Sequence, residues 1–384
     1  AQAHLEQALS VARAQPDRES LADVLTICAI VYGEAGQLQR AYEAAEEAIQ
    51  HVSGIGNTER LYRIYFGRAF ALFHMGRVEE AHKDNLEALR LCEVTRDLWK
   101  KAVLLGNLGI ELWSIGHPEE GHAHLIRVLE LKRQLGNRRE IGMGYLNAGY
   151  SFYRLGELQR ARIYTEEALR FFAQLGYFRG VLVATSNLGE IHWLLGAGRE
   201  AHEHYDRAEE LLRQHGHEPL QFELWIRQGE LALSEGEYLR ARGYFEQVLD
   251  RSSVERLPDV HCNALEGLAE ACLNLNRLDE AQIRIAAALK QLTSSGSLHM
   301  FPQRVWWRAS RIAAAAGDLE AERADHLEAL ELIEKEQKLL CTRAARARLG
   351  KAFPWNLEIL LHASPSAFIP PKSKQRRPAP ASME

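Results

Sequence analysis

Residues 144–176 read GYLNAGYSFYRLGELQRARIYTEEALRFFAQLG. Two helical segments are expected here, ended by Gly156 and Gly176, because glycine readily takes the left-handed conformation that closes a helix. The apolar residues of the second segment recur mostly at steps of three and four; they are Leu158, Ala161, Ile163, Tyr164, Ala168, Leu169 and Phe172. The stretch therefore predicts a hairpin of two α-helices.

The same pattern recurs along the chain with a period of 40 residues. Glycines at this period are Gly36, Gly76, Gly116, Gly156, Gly196 and Gly236. Asn276 holds the next place and Gly317 follows one residue late. A second series, 20 residues away, consists of Gly56, Gly136, Gly176, Gly216 and Gly296. Each unit therefore predicts two helices of about 17 residues, which makes the chain all-α.

Small residues occupy fixed places in each unit. Five places after the glycine they are Ala41, Ala81, Gly121, Ala161, Ala201, Ala241 and Ala281. Seven places before the glycine they are Ala29, Ala69, Gly109, Gly149, Gly189, Gly229 and Ala269. Small side chains let two helices approach closely, and Leu125, Tyr205 and Phe245 beside them are predicted to fill the adjoining gaps. This periodicity predicts one helical hairpin stacked many times.

The repeat resembles the tetratricopeptide repeat family. The resemblance rests on Asn107-Leu108-Gly109, on Asn187-Leu188-Gly189, and on Gly156 with Ala161. The 40-residue period is longer than the family's usual 34. This long form is similar to the repeats of kinesin light chains, of LGN-type polarity adaptors, and of bacterial peptide-sensing and ATPase-linked signalling regulators. The resemblance implies a right-handed superhelix, an α-solenoid, with a concave groove lined by the first helix of each unit.

The pattern also predicts how the chain is divided. Residues 1–17 match the second helix of a unit whose first helix is missing, so we expect more protein before residue 1; an N-terminal capping helix is the alternative. Residues 18–335 are predicted to form about eight hairpins. Residues 336–362 are predicted to form a capping helix with a closing segment, and residues 363–384 a disordered basic tail.

The C-terminal segments carry two further predictions. One helix is expected to run from Leu319 through Arg348, because no glycine stop interrupts it. The closing segment, residues 352–360, reads AFPWNLEIL and resembles the end of tetratricopeptide arrays attached to bacterial ATPases and nucleotide cyclases.

Composition excludes several classes of protein. Apolar residues make up 46% of the chain and charged residues 26%, which excludes disorder for most of it. No apolar run is long enough to predict a transmembrane helix. The net charge of −5 argues against a general nucleic-acid binder. The charge is unevenly distributed, since residues 338–384 carry +7 and the array carries −12. The basic tail could make weak contact with nucleic acid or an acidic partner, but a solubilising role is favoured.

No motif for catalysis, a metal or a cofactor is recognisable. The cysteines are scattered and odd in number, namely Cys28, Cys92, Cys262, Cys272 and Cys341. We interpret them as buried free thiols in a reducing compartment, the cytoplasm, rather than as disulfides or a zinc ribbon. The pairs His122/His124 and His202/His204 point apart on a helix, so we interpret them as exposed second-helix residues rather than metal ligands. The sequence therefore predicts no enzyme and no cofactor.

Candidate ligand residues follow from the repeat register. Three asparagines hold one equivalent position in successive units: Asn107, Asn147 and Asn187. The Asn amide is both donor and acceptor, so this ladder could pair with an extended peptide backbone, as groove asparagines do in the resembling peptide-binding members. The alternative is that they bond only to neighbouring helices. Large aromatic residues on the same helices could hold ligand side chains or pack between units; they are Trp113, Tyr150, Tyr153 and Trp193.

A second ladder is acidic. Glu190, Glu230 and Glu270 lie one residue past the small site in three successive units. Arg227 lies beside it, and Arg304, Arg308 and Arg311 follow in the last unit. Stacked like charges cost free energy unless a cation joins them. The ladder could select the basic group of a ligand, or the arginines could satisfy it internally.

Together these features predict a non-catalytic interaction module. It would bind a peptide or protein segment in its concave groove, as the C-terminal scaffold or sensor part of a larger bacterial signalling or transcription-regulatory protein. The alternative is a sensor, in which a small molecule or peptide inducer in the groove switches an attached ATPase, cyclase or DNA-binding domain.

Overall fold

The computed structural model describes residues 2–52, 58–252, 257–294 and 299–362, and in these ranges the chain forms nineteen α-helices joined by turns. The helices are α1 (Gln2–Arg13), α2 (Arg18–Glu34), α3 (Leu38–Val52), α4 (Thr58–His74), α5 (Val78–Thr95), α6 (Leu98–Ser114), α7 (Pro118–Leu135), α8 (Arg138–Arg154), α9 (Leu158–Gln174), α10 (Phe178–Leu194), α11 (Gly198–His215), α12 (Glu218–Ser234), α13 (Tyr238–Arg251), α14 (Pro258–Asn274), α15 (Leu278–Ser294), α16 (Pro302–Ala316), α17 (Leu319–Lys338), α18 (Arg343–Ala352) and α19 (Pro354–His362). The all-α prediction is confirmed.

Helices α2 to α17 pair as eight successive hairpins, units 1 to 8. Each first helix packs on the second helix of its own unit and on that of the unit before. Several successive first helices also contact each other, as α2 does α4 and α12 does α14. No two successive second helices in the described ranges make contact as extensive. The first helices therefore lie at the smaller radius and form the inner, concave face of an α-solenoid.

The glycine stops are confirmed by the backbone. The 40-residue series has φ between +70° and +94°, and Asn276 has φ +58°. Gly136, Gly176 and Gly216 of the second series also have positive φ, whereas Gly56 and Gly296 lie outside the described residues. Where that series lacks a glycine, after α5, Arg96 takes the left-handed conformation with φ +54°. The glycine pattern missed this position because arginine seldom adopts it.

The small and large residues interlock as predicted. A Cβ atom on Gly189 would lie 2.4 Å from the Tyr205 ring. Phe245 of α13 fits between two glycines of successive first helices, where Cβ atoms on Gly229 and Gly267 would lie 2.6 Å and 2.3 Å from its ring. Both aromatic side chains are fully buried. The absent Cβ atoms therefore leave the space in which the two helices of a unit pack closely, and at Gly267 the space in which one unit packs on the next.

The prediction of an uninterrupted helix from Leu319 through Arg348 is wrong. The chain breaks between α17 and α18, where Leu340 turns into the apolar core and is only 2% exposed. The Thr342 hydroxyl then accepts a hydrogen bond from the Ala345 backbone N–H at 3.1 Å and starts α18. Burial of a leucine outweighs continuation of the helix, and α18 and α19 form a separate short pair.

That short pair turns back to the middle of the chain. The backbone N–H of Cys341 donates to Glu119 Oε1 at 2.9 Å. Arg348 donates through Nε to the Leu155 carbonyl at 3.2 Å and pairs through Nη2 with Glu157 at 2.8 Å. These contacts join positions 193 and 222 residues apart in sequence. Units 3 to 8 together with α18 and α19 therefore form a closed ring.

Two further observations concern the chain as a whole. Within the described ranges, no helix has the length and apolar character needed to cross a membrane. Four cysteines are buried free thiols, as predicted, but Cys341 is exposed. The interpretation of Cys341 as buried is wrong because it lies in the break between α17 and α18.

Candidate functional site

A cavity of about 300 Å³ lies on the inner face of units 4 to 8. The first helices α8, α10, α12 and α14 form most of its wall, and Thr165 of α9, the segment leading into α16 and Arg304 of α16 form the rest. The lining residues are Gly149, Tyr150, Tyr153, Thr165, Asn187, Glu190, Ile191, Trp193, Glu223, Ile226, Arg227, Glu230, Asp259, Val260, Asn263, Met300, Phe301 and Arg304. A mixed apolar and charged wall of this size is typical of a ligand site.

The structure places part of the predicted groove set around this cavity. Those that line it are Tyr150, Tyr153, Asn187, Glu190, Trp193, Arg227 and Glu230. Those that do not line it are Asn107, Trp113, Asn147, Glu270, Arg308 and Arg311.

The asparagine ladder divides into two parts. Asn107 and Asn147 are half-buried on α6 and α8, and neither side chain makes a hydrogen bond to another described residue. Asn187 lies in the cavity wall, where its Oδ1 accepts a hydrogen bond from Arg227 at 3.3 Å. Two amides therefore have no hydrogen-bond partner in the described part of the chain, and the third is held by Arg227 in the cavity wall.

A hydrogen-bonded cluster forms the centre of the wall. The Tyr153 hydroxyl donates to Glu190 Oε1 at 2.7 Å, and Arg227 Nε donates to Glu190 Oε2 at 3.1 Å. Arg227 also pairs with Glu223 at 3.5 Å. Burial, and then the charge of Glu190, raise the pKa of Tyr153 well above its ordinary value. The phenol therefore stays protonated and fixes the orientation of this carboxylate.

A deeper ionic network joins units 6, 7 and 8. The two terminal guanidinium nitrogens of Arg308, Nη1 and Nη2, donate to the Glu230 carboxylate at 3.0 Å and 2.7 Å. Arg304 donates to Glu266 at 3.0 Å and to Asn263 at 2.9 Å. These charged side chains are at most 8% exposed. Burial alone would raise the pKa of Glu230, but Arg304 and Arg308 outweigh it and hold that pKa below its ordinary value. The acidic ladder is thus satisfied by arginines of the same chain.

The remaining predicted groove residues belong to internal packing. Trp113 fills the gap left by Gly121, where a Cβ would lie 2.6 Å from its ring, and Arg154 covers its other face at 5.2 Å. Glu270 forms an ion pair with Arg311. None of these side chains lines the cavity, and each has a partner within the chain, so their contact with a ligand stays a prediction.

The aromatic residues of the closing segment pack against the wall of the cavity without lining it, a position that the sequence did not indicate. Phe353 and Trp355 are 1% and 6% exposed. The Phe353 ring centroid lies 5.4 Å from that of Tyr153, and the Trp355 centroid 6.5 Å from that of Trp193. The Phe301 ring centroid lies 5.0 Å from the centroids of Phe353 and Trp355. The apolar run at 352–360 was a visible signal of burial, but it did not indicate which surface would cover it.

The four side chains of the histidine pairs are half-buried, so the prediction that they are exposed is wrong. The His122 ring is 4.6 Å from Phe152 and its Nδ1 lies 2.8 Å from the Ser151 hydroxyl. His204 stacks on His192 at 5.1 Å. Burial lowers the pKa of His122 and of His204, so both are neutral at physiological pH. No group of three or more His, Cys, Asp or Glu side chains in the described ranges is arranged to hold a metal ion.

Among the carboxyl groups outside the cavity whose pKa is raised, Glu111 lies between units 2 and 3. Glu111 is 2% exposed, accepts a hydrogen bond from Asn85, and lies 3.2 Å from Nδ1 of His82. Burial raises the pKa of Glu111 to about 7, although the Asn85 bond opposes the rise. A perturbed carboxyl is one sign of an active site. Here the helices of two units enclose it, and we interpret it as structural.

Glu111 should therefore make stability depend on pH. Its folded-state pKa lies above the ordinary value of 4.5, so its stabilising contribution is full below about pH 4.5 and is lost as pH rises through 7. We expect Glu111→Gln, which mimics the protonated acid, to be more stable than the parent at pH 8 by about 1–3 kcal/mol, and nearly equal at pH 5. Urea unfolding at both pH values measures this. The exposed Glu93→Gln serves as the control, and an equal response of both variants would contradict the assignment.

Comparisons with known proteins agree with this architecture. Residues 118–274, less than half of the chain, match the sequence model of the soluble NSF attachment protein, SNAP. No curated protein sequence matches the chain. Among solved structures, a Rap protein complexed with competence and sporulation factor has a TM-score of 0.59 at 18% identity, over 74% of this chain and 78% of that one.

Two further structures share the fold. The Rap conjugation gene regulator of the plasmid pLS20, in complex with a Phr peptide, has a TM-score of 0.53 at 15% identity, over 89% of this chain and 96% of that one. A signal transduction ATPase with a tetratricopeptide repeat sensor from Pyrococcus horikoshii has a TM-score of 0.52 at 18% identity, over 72% of this chain and 42% of that one. Residues 118–274 are therefore similar to SNAP, and the chain has the fold of tetratricopeptide-like arrays, which confirms the predicted resemblance.

Proposed function

We propose that this chain is a non-catalytic interaction module that binds an extended segment of a peptide or protein along its first helices. The observation that carries the proposal is the pair of open amides on Asn107 and Asn147, one unit apart and leading towards Asn187 in the cavity wall. A peptide backbone repeats donors and acceptors, and each Asn amide supplies one of each. The ladder therefore fits a backbone that runs along the inner face.

The cavity beside the ladder would hold a side chain of that segment. Tyr150 and Trp193 are half-buried in its wall and offer aromatic surface to an entering group. Aromatic residues in a partly closed pocket are typical anchors for a bound segment. The asparagines would thus bind the backbone of the peptide segment, and the cavity would bind one of its side chains.

The arrangement of charges supports binding rather than catalysis. The cavity glutamates Glu190, Glu223 and Glu230 are all engaged by arginines. The Thr165 hydroxyl donates to the Ala161 carbonyl at 2.8 Å. A general base beside a free nucleophile is the usual requirement for covalent catalysis, and these groups do not meet it. In one similar structure, the Rap conjugation regulator, an array of this fold is in complex with a peptide, which supports the same reading.

A second candidate is a sensor that switches an attached domain, and the closed ring favours it. The cavity lies inside the ring, so a ligand that enters it alters the contacts of several units together. One similar structure is an ATPase with a tetratricopeptide repeat sensor. In this version the ligand would be a peptide or small molecule, and the output a change of superhelix pitch.

Selection from a displayed library of random peptides tests the interaction module. A selected peptide, synthesised with a fluorescent label, should bind the Asn147→Ala/Asn187→Ala double variant about tenfold more weakly than the parent, because several hydrogen bonds are lost. Fluorescence anisotropy measures the Kd. Gln247→Ala, an exposed second-helix substitution, should leave the affinity unchanged. Failure to select any binder, or equal affinity for the double variant and the parent, would refute the proposal.

A further inference from the structure

The closing segment and the candidate ligand site share one wall. Four residues line the cavity and also contact the aromatic rings of that segment; they are Tyr153, Trp193, Phe301 and Arg304. They come from units 4, 5 and 8, so the closing segment spans the inner face from the middle of the array to its end. Part of the surface that a ligand would use is therefore already covered by the chain itself.

The closing segment has the form of a bound peptide. Phe353 interrupts the helices with an extended backbone, φ −113° and ψ 128°, and Pro354 then starts α19. This bend places the Phe353 ring against Tyr153. It also places the Trp355 ring beneath Arg304, whose guanidinium carbon lies 5.0 Å from the centroid of that ring. The inner face of the array thus accepts two aromatic side chains presented across a bend.

The fit of this segment is incomplete. The indole N–H of Trp355 is buried and has no hydrogen-bond partner among the described residues. A buried donor without a partner costs free energy that a better-matched occupant would avoid. The Arg348–Glu157 ion pair, which joins α18 to unit 4, also stabilises the contact only weakly, because its two side chains are 39% and 18% exposed. These features are those of a contact that can open.

We infer that the closing segment occupies the inner face next to the cavity, where it covers Tyr153, Trp193, Phe301 and Arg304, and that the external ligand is a segment of similar chemistry that replaces it. That ligand carries two aromatic side chains around a bend in its backbone. Binding displaces Phe353 and Trp355 from the inner face and releases the contacts of α18 with unit 4 and of Cys341 with unit 3, which opens the ring. The inference rests on the proposed function and adds the chemistry and regulation of its ligand.

A labelled synthetic peptide of residues 350–362 is the probe. The full-length chain should bind it weakly, because the tethered copy competes at high effective concentration. The Phe353→Ala/Trp355→Ala variant of the full-length chain should bind it about tenfold more tightly or better. The same peptide with both aromatic residues replaced by alanine should bind neither protein. Fluorescence anisotropy gives the affinities, and circular dichroism reports the helical content of each variant.

Two further variants keep the test decisive. Leu357→Ala/Leu361→Ala changes residues of α19 that are 38% and 66% exposed, leaves the rings in place, and should retain the weak binding of the parent. Arg348→Ala removes only the contacts of Arg348 with unit 4. It should raise the affinity for the peptide severalfold, because the closing segment is then displaced more easily. If the double aromatic variant does not fold, this Arg348 variant decides the matter alone.

One result would overturn the inference: the peptide binds the parent, the aromatic variant and the Arg348 variant equally, or binds none of them. The closing segment would then be a permanent cap. The proposed function fails on a different result, because it depends on library-selected peptides and on Asn147 and Asn187. Asn-dependent binding of a selected peptide, without binding of the 350–362 peptide, leaves the proposed function standing and removes this inference.

Discussion

Replacement of Glu230 by glutamine should lower the free energy of unfolding by about 3–5 kcal/mol. In the parent, Glu230 and Glu266 face Arg304 and Arg308 in a network that is at most 8% exposed. Glutamine keeps the shape of the side chain but leaves one carboxylate for two guanidinium groups. A buried charge without a counter-ion is far more costly than the loss of a hydrogen bond.

Urea unfolding followed by circular dichroism measures this effect. Glu223→Gln is the matched control, since Glu223 lies on the same helix α12, pairs with Arg227, and is 45% exposed. That control should lose less than about 1 kcal/mol. Adding Arg308→Met to Glu230→Gln should restore part of the loss, because it removes the uncompensated cation. Equal losses for Glu230→Gln and Glu223→Gln would show that the network does not stabilise units 6 to 8.

The second large effect is expected at Phe245. Phe245→Ala should cost about 3–5 kcal/mol, because a fully buried ring that touches two successive first helices is replaced by a cavity. Leu239→Ala on the same helix α13 removes a side chain that is 74% exposed and should change stability by less than about 0.5 kcal/mol. Thermal or urea unfolding of the three proteins gives the comparison.

A double-mutant cycle with Gly267 makes this prediction specific to the packing. In the parent, Gly267→Ala places a methyl group where the Phe245 ring already lies, so it should destabilise. In the Phe245→Ala background the same methyl group enters the vacated space and should be neutral or stabilising. The sign of the Gly267→Ala effect should therefore reverse. Purely additive effects would mean that the ring and the glycine do not share that space.

The repeat itself was predictable from the sequence because its determinants are local. Gly156 ends a helix through its own backbone conformation, and Phe245 faces a missing Cβ at a fixed spacing. Such features recur every 40 residues and can be read without knowledge of the curvature of the array. The places of Asn107, Asn147 and Asn187 on successive first helices follow for the same reason, because one register position defines them; their contact with a ligand stays a prediction.

The ring was not predictable, because it depends on how far the array curves. A Cβ atom on Gly156 would lie 2.7 Å from Ala352 Cβ, so this helix stop is also the surface on which α18 rests. Nothing local marks that second role. The Glu230–Arg308 pair shows the same limit: its partners lie 78 residues apart, and the sequence left open whether they would meet. Side-chain reach across two units is a property of the assembled solenoid.

The tie between Arg348 and the turn at Leu155 has a mechanical consequence. An open solenoid behaves as a spring, because each hairpin contributes a small compliance and the extensions add along its length. The contact of Arg348 with Leu155 fixes the C-terminal end of the array to its middle, which divides the array into two parts of different stiffness. Units 1 and 2 keep the compliance of a free coil, while units 3 to 8 bear load as a stiff loop whose pitch cannot change until the contacts of α18 and Cys341 with units 3 and 4 are released. Elastic motion of this protein is therefore concentrated at its N-terminal units.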